Sequence, residues 1–94
     1  MRPIPAKKVP WILPMQFRGA RAMLNWTQED LAVRSGISKR SIAVLEDGER
    51  GLRPENVETL VRALEAGGIE FYWTKEGYPG LALHGRRGAE APSP

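Results

Sequence analysis

Apolar residues recur at helical spacing in four successive stretches of the chain, after which the period changes. In the first stretch Phe17, Ala20 and Leu24 lie three and four residues apart, lining one face of a helix. Pro14 suits the first turn of that helix, and Asn25, which tolerates positive φ, suits its end. In the second, Leu31 and Ala32 follow Thr27, whose hydroxyl can accept the backbone N–H of Asp30. Glu29 and Asp30 complement the dipole of this helix, which is expected to end near Ser35. Gly36 then lets the chain reverse. Ser38 caps a third helix reaching about Asp47, with Ile42 and Leu45 facing inward and Ile37 packing from the turn. The fourth helix opens at Pro54, has Glu55 in its first turn, carries Val57, Leu60, Val61 and Leu64, and stops at Gly67 and Gly68.

Beyond Gly68, residues 69–74 are rich in strand formers and roughly alternate. Residues 75–80 have turn chemistry (Gly77, Pro79, Gly80), and residues 81–84 return as a second short strand. An isolated hairpin is marginal in water, so this one must pack on something. Its aromatic residues Phe71, Tyr72, Trp73 and Tyr78 are too many for one face. One face is therefore expected to meet either a partner subunit, through Ile69, Phe71 and Trp73, or the apolar patch around Trp11. The expected fold is mainly α with a short C-terminal β-hairpin. It divides into an extended basic arm (residues 1–13), a helical domain (14–66), the hairpin (67–84) and a disordered tail (85–94).

Composition narrows the function. With no cysteine, neither a disulfide framework nor a cysteine-ligated metal is available. No apolar run approaches the roughly 18 residues of a membrane span, and the start lacks the h-region of a signal peptide. A cytoplasmic protein with no membrane partner is expected. His84 is the only histidine and has no second ligand nearby in sequence. Neither a nucleophile–base arrangement nor a phosphate-loop spacing is present, so no catalytic residue, metal or cofactor is expected. Trp26 is expected to pack in the core between the first two helices. The net charge of +3 is unevenly placed. Residues 1–24 hold five bases and no acid, whereas residues 25–66 hold six bases and eight acids. That excess makes the first segment either a solvated tail or an arm for phosphates or a minor groove.

The second and third helices, with their tight turn, have the layout of a helix-turn-helix. The layout needs a small residue where the helices cross, met by Ala32, and a strain-free turn residue, met by Gly36. Leu31, Ile37, Ile42 and Leu45 lock the angle. Lys39, Arg40 and Ser41 sit at the N-terminal end of the third helix, where such a motif reads base edges. The run Gln28-x-x-Leu31-Ala32-x-x-x-Gly36-Ile37-Ser38-x-x-x-Ile42-x-x-Leu45-Glu46-x-Gly48 resembles the lambda-repressor/Cro-like regulators, the XRE family. The resemblance covers about residues 17–64.

It implies a four- to five-helix lambda-repressor-like domain that binds double-stranded DNA as a homodimer on a near-palindromic operator and represses transcription. By position it implies base reading by Lys39, Arg40, Ser41 and Val44, the last through an apolar contact. It implies phosphate contacts from Thr27, Gln28, Ser38, Arg50 and Arg53, and an ion pair between Arg21 and Glu46. Asp47 and Glu49 depart from the pattern by placing acids near the phosphates. An alternative reading, suggested by the aromatic strand, is an antitoxin that binds a toxin through the hairpin and represses its own operon.

Overall fold

The computed structural model describes Ile12, residues 14–48 and residues 53–84. The expectations for the N-terminal arm with Trp11, for Arg50 and for the tail lie outside these residues. Four helices precede one antiparallel hairpin, so the fold is mainly α with a short β element.

Helix α1 (Pro14–Leu24) begins at its proline, whose missing N–H would have had no partner in a first turn. Phe17, Ala20 and Leu24 face inward, joined by Gln16, which is 3% exposed and donates to the Gly80 carbonyl at 3.1 Å. Asn25 ends the helix at φ 60°. Helix α2 (Gln28–Ser35) starts with a reciprocal cap. Thr27 Oγ1 accepts the Asp30 N–H at 2.9 Å, and Asp30 Oδ2 accepts the Thr27 N–H at 2.9 Å. Gly36 closes α2 in the left-handed region at φ 80°, where a Cβ would be strained. Ser38 Oγ caps α3 (Lys39–Glu46) by accepting the Ser41 N–H at 3.1 Å. Helix α4 (Pro54–Ala66) again opens on proline.

Strands β1 (Ile69–Trp73) and β2 (Pro79–Leu83) pair antiparallel, with Ile69 opposite Leu83, Phe71 opposite Leu81 and Trp73 opposite Pro79. The second strand thus begins two residues before the expected start. Pro79 is tolerated because it opens a strand at the sheet edge, and the exposed Tyr72 ring covers Gly80. One core collects α1, α2, α3, α4 and the inner face of β1.

That core takes the residues expected to meet a second subunit. Ile69, Phe71 and Trp73 are 4%, 3% and 8% exposed within the single chain, and the Phe71 ring lies 5.9 Å from that of Phe17. Little of these three side chains is therefore left on the surface for a second subunit to meet. On the outer face of β1 Tyr72 is exposed, and Tyr78 is exposed in the turn that follows. Trp26 is half-buried and packs toward Gly67 at the end of α4, with the Arg34 guanidinium 4.3 Å above its ring.

Candidate nucleic-acid interface

The candidate site is organised around Glu46, the last residue of α3. Its side chain is 2% exposed, and a carboxylate that deep requires partners. Arg21 supplies two of them: Nε to Oε2 at 2.7 Å and Nη2 to Oε1 at 2.8 Å. Nη1 of Arg21 also donates to the Trp26 carbonyl at 2.9 Å. Hydrogen bonding to Glu46 raises the Arg21 pKa above its ordinary value against the opposing effect of burial. Gln28 Nε2 donates to Glu46 Oε1 at 3.1 Å, and Arg18 Nη1 donates to the Glu46 main-chain carbonyl. One residue at the end of α3 is therefore held from α1 and from the start of α2.

The other end of α3 presents the cations. Lys39 and Arg40 are exposed, with no ion pair among the described residues. Val44 follows Arg40 one turn later and is half-buried. Ser41 is also half-buried, and the hydroxyls of Ser38 and Ser41 are 3.0 Å apart, so its side chain is engaged in the cap. Ser38 and Thr27 are exposed, and each uses its hydroxyl oxygen as a helix cap. Gln28 does not point freely outward; its amide nitrogen serves Glu46. Arg53 is 76% exposed on its side chain and stands 3.4 Å from the Glu55 carboxylate, a solvated pair of little strength. Asp47 is exposed just past the end of α3.

Arg18 is the residue of this cluster that the sequence pattern did not single out. Its spacing from Arg21, one helical turn, was the available signal. Such an arrangement offers a helix anchored at its last residue, with long donors at its first turn. Among the described residues, no helix is long and apolar enough to cross a membrane.

A family model described as helix-turn-helix matches residues 17–70, more than half of the chain. No curated protein matches it.

Proposed function

Because the chain belongs to the helix-turn-helix family of Cro/C1 (XRE) type, a family of DNA-binding transcription regulators, we propose that it represses a promoter by binding a near-palindromic operator as a homodimer. The observation that carries this reading is the pairing of exposed Lys39 and Arg40 with a clamped opposite end of the same helix. A helix held at Glu46 has little freedom to roll. Its N-terminal donors can then meet base edges at a set angle, which is what discrimination between bases requires.

In this reading α3 enters the major groove. Arg40 pairs with O6 and N7 of a guanine, Lys39 donates beside it, and Val44 touches a thymine methyl. Ser41 offers its hydroxyl to either kind of base. The exposed Thr27 and Ser38 hydroxyls, the second amide N–H of Gln28, and Arg50 and Arg53 hold the flanking phosphates. One eight-residue helix reads only a few base pairs, so a two-fold pair of subunits gives the specificity a single helix lacks.

The test is selection from a random duplex pool with the purified protein at moderate salt. Enrichment of a palindrome with half-sites about one helical turn, ~34 Å, apart supports the dimeric repressor. A single unrepeated half-site keeps DNA binding and removes the dimer. No enrichment, together with a stoichiometric protein partner in a native pulldown, would favour the toxin-binding alternative.

A further inference from the structure

The carboxy-terminal end of α3 presents a charge problem. An eight-residue helix is ~12 Å long, close to the ~12 Å width of the major groove. When the amino-terminal end of such a helix reads bases, its other end lies against a groove wall, which is a row of phosphates. Here that end carries the negative pole of the helix, and the exposed Asp47 adds a full negative charge. Both repel phosphate. Arg21 cannot offset them, because its donors are turned inward to Glu46 and the Trp26 carbonyl. Lys39 and Arg40 belong to the opposite end of the helix.

Resting on the DNA-binding reading, we propose that Arg18 binds a backbone phosphate at this end of α3 and supplies there the positive charge that Asp47 counteracts. The guanidinium has five N–H donors. Among the described residues one of them is spent, on the Glu46 carbonyl, which holds the head group over the end of α3 while the residue as a whole stays exposed. The fixed planar fork leaves the outward N–H groups directed at solvent, where a phosphate oxygen can replace water. The contact reads no sequence; it sets the depth and register of α3 in the groove.

The test compares wild type, Arg18→Gln, Arg18→Lys and Asp47→Asn on the selected duplex and on an unrelated one across a salt series, with a melting curve for each protein. Arg18→Gln should weaken both duplexes by the same factor and lower the slope of log affinity against log salt by ~0.9, the release of one counterion. Arg18→Lys should keep most of the slope, and Asp47→Asn should strengthen binding on both duplexes. A lower melting temperature for Arg18→Gln with an unchanged salt slope would overturn the proposal, leaving Arg18 as a helix cap only. Should Arg18→Gln not fold, Asp47→Asn decides: unchanged affinity places this end of α3 away from the phosphates. If wild type binds no duplex at any salt, the DNA-binding reading itself fails, whereas a normal wild-type slope with an unaltered variant slope defeats only the role of Arg18.

Discussion

Arg21 holds Glu46 along one edge of its guanidinium, with Nε and Nη2 donating to the two carboxylate oxygens at 2.7 and 2.8 Å. The Glu46 side chain is 2% exposed and that of Arg21 17%. Removing the arginine leaves a buried carboxylate whose remaining side-chain donor among the described residues is Gln28. Arg21→Ala should therefore cost about 3–5 kcal/mol of folding stability. Arg40→Ala, at an exposed position, should stay within about 0.5 kcal/mol. Urea unfolding of the two variants checks this, and equal midpoints would refute it.

The reciprocal cap of α2 carries a pH dependence. The Thr27 backbone N–H, and then its hydroxyl, stabilise ionised Asp30 and hold its pKa below the ordinary aspartate range. A carboxylate whose pKa is lower in the folded state stabilises the fold above the unfolded value of ~3.9. That contribution is lost as pH falls through the lower, folded value. Asp30→Asn should thus be less stable than wild type at pH 5, and the difference should shrink as the pH is lowered toward 2. A gap that stays constant over this range would show that the cap does not depend on the charge.

Two glycines differ in what a methyl group would strike. At Gly67 a Cβ would lie 2.9 and 3.0 Å from two atoms of the Trp26 indole and 3.0 Å from Leu24. A rigid ring can give way only by moving as a whole, against its packing on the core, so Gly67→Ala should cost about 1–3 kcal/mol. At Gly19, inside α1, the close neighbour is the far end of Leu81 at 2.8 Å, which can turn aside. The higher helix propensity of alanine, worth up to about 1 kcal/mol, offsets that adjustment, and Gly19→Ala should be near neutral. Thermal melts of the pair read the contrast directly.

The hairpin belongs to the core of one chain, so weakening it should act on a single subunit. Phe71 is 3% exposed and faces Phe17. Phe71→Ala should cost about 3–5 kcal/mol. The loss should be the same at every protein concentration, because an interface residue would instead give a loss that shrinks on dilution as the wild-type dimer itself dissociates. Unfolding midpoints measured over a hundredfold range of concentration distinguish the two.

Local chemistry accounts for what could be read from the chain. Pro14, Thr27, Ser38 and Pro54 mark helix starts by effects that act within one turn, and Asn25 and Gly36 mark ends in the same way. The alternation in β1 showed that one face is buried without showing what buries it; Phe17, 54 residues earlier, does. The inward turn of the Gln28 amide and the placement of Arg18 depend on Glu46, which lies 18 and 28 residues away respectively. No periodicity carries that information. The early start of β2 is likewise invisible to strand propensity, which disfavours Pro79 and Gly80; pairing with Trp73 and Tyr72 overrides it.

The proposed division between base-reading and phosphate-holding cations predicts two kinds of binding loss. Arg40 stands exposed in the first turn of α3 with no partner among the described residues, so its donor fork can turn to a base. Arg40→Ala should cost about 1–3 kcal/mol on the selected operator, little on scrambled DNA, and should relax the preference at one base position. Arg53 lies at the start of α4 and, among the described residues, keeps a solvated contact with Glu55. Arg53→Ala should weaken every duplex by a similar factor and reduce the salt slope by about one. Titrations of both variants on operator and scrambled duplexes at several salt concentrations separate the roles. Equal losses for Arg40→Ala on the two duplexes would make it a phosphate contact, and α3 would then lie on the DNA with its first turn turned away from the bases.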